Sequence, residues 1–109
     1  MAISASEKIF VDPNEEIVTV IERLLSSDKE RIILVIPQNS ILLSSYISIN
    51  ILFREVAKSG KLVVLVTEDS YGQHIAEKAG FVVAPKVSSI NSEMWEDSSN
   101  NKTDILNKL

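Results

Sequence analysis

The stretch LVVLVTEDSYGQHIAEKAGF, residues 62–81, decides the fold of this chain. It begins with five apolar residues in succession, which is typical of a strand buried on both faces of a parallel sheet. After a polar corner at residues 67–70, a helical pattern runs to Gly80, a residue type that commonly ends helices. Another apolar run starts at Phe81. Strand, helix and strand in this order predict a βαβ unit with parallel strands.

The same alternation of strand and helix extends toward the N-terminus. Apolar runs at residues 8–11 and 31–36 predict two more strands, and the periodic apolar positions after each run predict two more helices. The order β-α-β-α-β-α-β predicts an α/β fold, a three-layer sandwich with a four-stranded parallel sheet. We expect the strand order 2-1-3-4, with the first helix on one face and the other two on the opposite face. The sequence leaves other strand orders open.

Capping residues mark the ends of the first two helices. Residues 12–15, Asp-Pro-Asn-Glu, predict the start of the first helix, with Asp12 as its cap and Glu15 completing a capping box. The second helix is expected over residues 40–59, because Gly60 then occupies the position where glycine most often ends a helix.

The composition limits the classes of function that are possible. A chain of 109 residues, 45% of them hydrophobic, is enough for one folded domain with one core. The net charge of −4 argues against a nucleic-acid-binding protein, and the absence of cysteine removes zinc–thiolate sites and thiol chemistry. The N-terminus MAISASEK lacks the basic and apolar regions of a signal peptide, so we expect a cytoplasmic protein.

The uncharged window between Arg31 and Arg54 has the length of a transmembrane helix. It contains Pro37 and many serine and asparagine residues, whose polar groups a spanning helix could not hydrate. We therefore interpret this window as protein core and expect no direct insertion into a membrane.

Polar side chains at the carboxyl ends of the strands are the candidate ligand-binding residues. Ligands of parallel sheets bind beyond these ends, near the point where the strand order reverses. With the order 2-1-3-4, the ends of the first and third strands flank that crevice. The candidates are Asp12, Asn39, Ser40, Thr67 and Asp69.

The polar corner at residues 67–70 has two interpretations. Ser70 or Asp69 could cap the third helix, which explains the corner as a junction between a strand and a helix. Alternatively, Glu68 and Asp69 could join Asp12 in a carboxylate cluster for a hard cation such as Mg²⁺. We favour the junction, because acidic residues at strand ends are common in acidic proteins, and we predict no metal site.

No motif in the chain predicts catalysis. The turns between strands and helices contain neither a dinucleotide-binding fingerprint nor a P-loop, so we predict no cofactor. His74 is the only histidine and has no serine, cysteine or second histidine at a matching spacing. No serine lies in a G-x-S-x-G elbow. We therefore predict no catalytic residues and do not expect an enzyme.

A second apolar row on the second helix predicts contact with a protein partner. Leu43, Ile47 and Ile51 form this row, beside the stripe of residues expected to pack on the sheet. A neighbouring helix or the C-terminal segment could cover the row, or a partner could bind it. These three residues are candidate partner-binding residues.

The composition changes after residue 87. Residues 88–109 are rich in serine and asparagine, and their few apolar residues follow no sustained period. We expect a flexible polar tail or linker here, after an α/β domain of residues 1–87. Trp95 is either a short docking motif in this tail, and so a further candidate for partner binding, or a residue packed on the domain.

Four segments between Lys8 and Pro85 carry a resemblance to a known group of proteins. IFVDPNEEIVTVIERL, RIILVIPQNSILLSS, INILFREVAKSGKLVVLVTED and GQHIAEKAGF resemble a Rossmann-like module at the start of uncharacterised bacterial proteins, especially from candidate phyla. Some longer members are labelled baseplate-J-like or putative membrane proteins. In that group a polar linker, and often a membrane segment or extracellular repeats, follow the module. The resemblance implies a Rossmann-like fold and brings no catalytic residues.

Two functional hypotheses remain. The first is a non-enzymatic α/β interaction or anchoring module, which binds a protein partner or self-associates as the cytoplasmic N-terminal part of a larger membrane or surface assembly. The alternative is a small-ligand sensor that uses the crevice at the strand ends.

Overall fold

The computed structural model describes residues 5–109. Its strands are β1 (Ser6–Phe10), β2 (Arg31–Val35), β3 (Leu62–Val66) and β4 (Val82–Ala84). Its α-helices are α1 (Ile17–Ser26), α2 (Tyr46–Ser59), α3 (Ser70–Ala79) and α4 (Ser92–Lys108). Two 3-10 turns, at Ile41–Ser44 and Val87–Ser89, precede α2 and α4. None of these helices has both the length and the apolar character needed to cross a membrane.

The four strands form one parallel sheet, which confirms the predicted α/β fold class. Helices α1, α2 and α3 share one hydrophobic cluster with one face of the sheet. The N-terminal half of α4 packs on the opposite face. The layers are therefore helices, sheet and helix, as in a three-layer sandwich.

The strand order is β1-β2-β3-β4, which differs from the expected 2-1-3-4. Right-handed crossovers between successive neighbouring strands place every crossover helix on the same face of the sheet. The expected order divided three helices between the two faces of the sheet. In the observed order the sequence of strands does not reverse, so the sheet has no switch crevice, and α4 lies on the second face.

The core between the sheet and helices α1 to α3 is formed by alternate residues of the strands. The buried strand residues on this face are Ile9, Ile32, Leu34, Val63 and Leu65. On the helix side, the ring of Phe53 stands edge-on to the ring of Phe81, with 5.1 Å between the centroids. Gly80 lies against the Phe53 ring and has a φ of +119°, so the turn from α3 into β4 depends on a residue without a side chain.

The C-terminal segment forms helix α4, which differs from the flexible tail expected over residues 88–109. Trp95 is buried against the second face of the sheet. The Ser98 hydroxyl donates to the Val63 carbonyl at 3.1 Å and accepts from the Val63 N–H at 3.3 Å. Asn101 Nδ2 donates to the Gly80 carbonyl at 2.9 Å. Polar side chains of α4 thus form hydrogen bonds with backbone groups that the short strand β4 leaves unpaired. These bonds help to attach α4 to the sheet, although the helix has few apolar residues.

Helix α1 begins at Ile17, later than the start predicted at Asp12. Residues 12–15 form a separate turn, in which the Glu15 N–H donates to the Asp12 carbonyl at 3.0 Å. The Glu15 carboxylate accepts from the Asp12 N–H at 3.0 Å, as in the predicted capping box, and also binds the Arg23 guanidinium at 2.7 Å. The side-chain pairing was therefore predicted correctly, but it closes a turn that precedes the helix.

Candidate functional site

Asp69 joins the polar corner after β3 to the loop after β2. Its Oδ1 accepts a hydrogen bond from the Gly72 N–H at 2.8 Å and thereby caps α3. Its Oδ2 accepts from the Asn39 N–H at 3.0 Å. Asn39 has a φ of +64°, a left-handed conformation in which asparagine is enriched. One carboxylate therefore caps a helix and fixes the neighbouring loop.

Two glutamine side chains bind the backbone of the same corner. Gln73 Nε2 donates to the Thr67 carbonyl at 2.8 Å, and Gln38 Nε2 donates to the Glu68 carbonyl at 3.2 Å. Thr67 is buried, and its Oγ1 accepts from the Asp69 N–H at 3.1 Å. The polar groups of the corner are thus largely paired with one another. No role was predicted for Gln38, because its partner lies 30 residues away and no local pattern indicates such a bond.

The pKa of Asp69 lies below its ordinary value of 3.8. The main cause is the hydrogen bond from the Asn39 N–H, followed by the bond from the Gly72 N–H, since both favour the charged carboxylate. Burial raises the pKa but is outweighed. Because the folded-state pKa is depressed, the contribution of this carboxylate to stability is complete above the unfolded-state pKa and is lost as the pH falls through the folded-state pKa.

Replacing Asp69 with alanine is expected to lower the free energy of unfolding by about 1–2 kcal/mol, because α3 loses its cap and the loop after β2 loses its anchor. The measurement is urea unfolding at pH 7 and again at several pH values below 3.8. The difference from wild type should shrink at the lower pH values, where the carboxylate becomes protonated.

The exposed neighbour Glu68 provides the matched control for Asp69. Its carboxylate forms no hydrogen bond with any described residue, so Glu68→Ala should change stability by no more than about 0.5 kcal/mol. A gain of stability in Asp69→Ala, measured in chelator, would contradict the junction interpretation. It would indicate the like-charge repulsion of a cation site instead.

The structure brings four of the five candidate ligand residues together. Asn39, Ser40, Thr67 and Asp69 lie just after the ends of β2 and β3, which are adjacent in the sheet. The Ser40 hydroxyl is buried and accepts from the Leu42 N–H at 3.2 Å, which caps the following 3-10 turn. Asp12 follows β1, and its Oδ1 accepts from the Asn14 N–H at 3.0 Å. Because β2 separates β1 from β3, Asp12 does not flank a crevice with Thr67 as the order 2-1-3-4 required.

Asn39, Ser40 and Asp69 line a shallow depression of about 390 Å³ together with Tyr71. Among residues 5–109, no three histidine, aspartate or glutamate side chains are grouped so that they could hold a metal ion. Of the two candidate caps for α3, Asp69 is the one that accepts the capping bond, while Ser70 is exposed. His74 is also exposed, on α3.

The candidate partner-binding residues fall into two groups. Leu43 and Trp95 are buried in the two hydrophobic clusters. The Arg31 guanidinium lies over the Trp95 ring, 5.4 Å from its centroid, so this tryptophan is packed on the domain. Ile47 and Ile51 are exposed on the outer side of α2. The predicted apolar row therefore has one member in the core and two on the surface.

No protein-family model, curated protein or solved structure matches this chain. The resemblance to the Rossmann-like bacterial module thus remains a prediction. Inferences about function depend on the geometry and chemistry of the described residues.

Proposed function

We propose that this protein is a non-enzymatic interaction module that binds a protein partner through the outer side of α2. The observation that carries the proposal is the exposure of Ile47 and Ile51, one helical turn apart, at 71% and 47%. Adjacent exposed apolar side chains are a feature of interaction sites. Arg54 and Lys58, both exposed, continue the same side of the helix. Lys58 pairs with Glu55 at 3.5 Å, whereas Arg54 forms no ion pair with a described residue. This α2 surface therefore suits a partner that presents an apolar side chain beside a carboxylate.

The polar corner offers less support for the alternative, a small-ligand sensor. Both carboxylate oxygens of Asp69 and the hydroxyl oxygens of Thr67 and Ser40 accept hydrogen bonds from backbone N–H groups of the chain itself. A ligand would have to compete with these bonds. No observation at the corner favours ligand binding over its role as a junction.

The family resemblance extends the proposal to a larger context. In the proteins that the chain resembles, the module stands at the N-terminus and is followed by a linker and often a membrane segment. We therefore propose that the α2 surface anchors a cytoplasmic module within a membrane or surface assembly.

The double substitution Ile47→Ser and Ile51→Ser is expected to abolish partner binding and to leave the fold intact. Both side chains are exposed, so the free energy of unfolding should change by no more than about 0.5 kcal/mol per site. Binding would be measured by quantitative capture of partners on the immobilised protein, and self-association by sedimentation velocity over a range of concentrations.

Val18→Ser supplies the control for the α2 surface, because Val18 is an apolar residue of α1 whose exposure, 63%, lies between those of Ile47 and Ile51. It should retain the partners that the double variant loses. Capture of the same partners by wild type and the double variant would contradict the proposed surface, whereas loss in the double variant alone would support it.

A further inference from the structure

Strand β1 forms an open edge of the sheet. It pairs with β2 on one side, and no strand among residues 5–109 pairs with its other side. An edge of this kind presents unpaired backbone N–H and C=O groups, which can bind another extended chain. The other edge strand, β4, has three residues and is flanked by α4 contacts, so β1 is the longer free edge.

Alternate residues of β1 direct their backbone groups outward. The Val11 N–H donates to the Val35 carbonyl of β2 at 2.9 Å. In a parallel ladder, successive residues direct their N–H and C=O groups to opposite sides of the strand. The outward groups therefore belong to the residues that alternate with Val11, which are Ser6, Lys8 and Phe10. None of their backbone groups is bonded to a described residue.

A groove of about 610 Å³ runs between this edge and helix α1. The groove is acidic. The lining carboxylates are those of Glu7, Glu22 and Asp28. Of the two lining cations, Arg23 is neutralised by Glu15 at 2.7 Å, which leaves Lys8. Side chains that enter the groove from an added strand would therefore be favoured if they are basic.

The opposite side of the same edge exposes one large apolar side chain, that of Phe10, beside the side chains of Ser6 and Lys8. Phe10 is 62% exposed on the second face of the sheet, at the β1 edge and outside the cluster that α4 covers. Val35, the residue of β2 that pairs with Phe10, is partly buried. An added strand would place every second side chain on this face, beside the Phe10 ring. Apolar side chains would be favoured there.

We propose that the β1 edge binds an extended segment of a partner protein in which basic and apolar residues alternate. The segment adds as a fifth strand, with its backbone bonded to Ser6, Lys8 and Phe10. Its basic side chains enter the acidic groove toward Glu7 and Glu22, and its apolar side chains cover Phe10. Backbone bonds supply affinity and the alternating pockets supply specificity, as in other recognition by strand addition. This site lies apart from the α2 surface and does not depend on it.

A second copy of the chain fits this edge less well. The antiparallel register that pairs all five residues of β1 with their counterparts is centred on Lys8. It sets Lys8 directly against Lys8, and like charges in that position are destabilising. The acidic groove would also face a second acidic groove. A separate basic segment has neither conflict.

The probe for this site is a short fluorescent peptide of alternating lysine and valine residues, titrated into the full chain and followed by anisotropy. A peptide with glutamate in place of lysine is the control for charge. Amide hydrogen exchange by NMR should show the N–H groups of Lys8 and Phe10 exchanging fast in the free protein and protected in the complex. The amides of Ile9 and Val11 should be protected in both states, because they bond toward β2.

Lys8→Pro tests the backbone bond directly. Proline removes the outward N–H of this edge residue without removing a bond to β2, a position where strands tolerate it. Lys8→Ala is the matched control, since it removes the same charge and keeps the N–H. We expect Lys8→Pro to weaken peptide binding by about tenfold or more relative to Lys8→Ala.

Glu22→Lys tests the groove, with Glu96→Lys on α4 as the control for net charge. Weaker binding in Glu22→Lys alone, together with protection of the Lys8 and Phe10 amides, would support the proposal.

The proposal would be overturned by equal binding of the peptide to Lys8→Pro and Lys8→Ala, by unchanged amide exchange at Lys8 and Phe10, or by no binding of the peptide. Dimerisation that Lys8→Pro abolishes would also overturn it, in favour of a second copy. The double variant Ile47→Ser and Ile51→Ser should bind the peptide normally, which separates this result from the test of the α2 surface.

Discussion

Replacing Trp95 with alanine is expected to lower the free energy of unfolding by about 4 kcal/mol, as for other buried tryptophans. Trp95 is 8% exposed and is the large side chain that fixes α4 to the second face of the sheet. Its removal leaves a cavity over Val64 and Ala84 and takes away the ring beneath the Arg31 guanidinium. Urea unfolding monitored by circular dichroism would measure the loss.

Leu106→Ala is the control for Trp95→Ala, because Leu106 is an apolar residue of the same helix that is 40% exposed. Its effect should stay within about 0.5 kcal/mol. If both variants unfold at the wild-type urea concentration, α4 does not hold the domain together, and the predicted flexible tail over residues 88–109 would describe the segment better. Limited proteolysis provides a second measurement, since cleavage within α4 should accelerate in Trp95→Ala and not in Leu106→Ala.

Gly80→Ala is expected to destabilise the protein by about 3 kcal/mol, for two reasons that add. At a φ of +119° an L-residue is strained, which costs about 1–2 kcal/mol. A Cβ at this position would also lie 2.7 Å from Phe53 Cε2. The Phe53 ring is buried against Phe81 and cannot move aside freely, so the overlap adds about 1–3 kcal/mol.

Gly60→Ala separates the two contributions. Gly60 also has a left-handed backbone, with a φ of +82°, but a Cβ there would meet no atom within 4 Å. It should therefore show the strain alone, about 1 kcal/mol. Equal losses in the two variants, measured by urea unfolding under the same conditions, would show that the Phe53 ring yields to the added methyl group.

The parts of the fold that depend on neighbouring residues could be predicted from the sequence. Five successive apolar residues located β3, and the glycines at 60 and 80 located the ends of α2 and α3. Strand order could not be read in this way, because it depends on pairing between strands that are distant in the sequence. The element on the second face, α4, was also missed, because its attachment uses one tryptophan and the polar side chains of Ser98 and Asn101. Hydrophobic periodicity does not detect a helix held by bonds to distant backbone.

The candidate site shows the same limit. Asp69 was one of two predicted caps of α3, beside Ser70, because the capping pattern is local. Its second bond, to the Asn39 N–H, joins residues 30 positions apart and appears only when β2 and β3 are adjacent. The placement of Asp12 depended entirely on the strand order and changed with it. Sequence alone could therefore identify the polar residues at the strand ends, but not which of them meet.

The consecutive strand order has a consequence for the growing chain on the ribosome. Each strand pairs with the strand synthesised immediately before it, so β1 and β2 can associate with α1 before β3 exists. In an order such as 2-1-3-4, by contrast, the gap beside the first strand stays open until the third strand emerges. Here the outer side of β1 is never filled by a later strand of the described chain. Among the described residues, the outer edge of β1 is therefore exposed from the moment the strand is synthesised, and no strand made after it closes that edge.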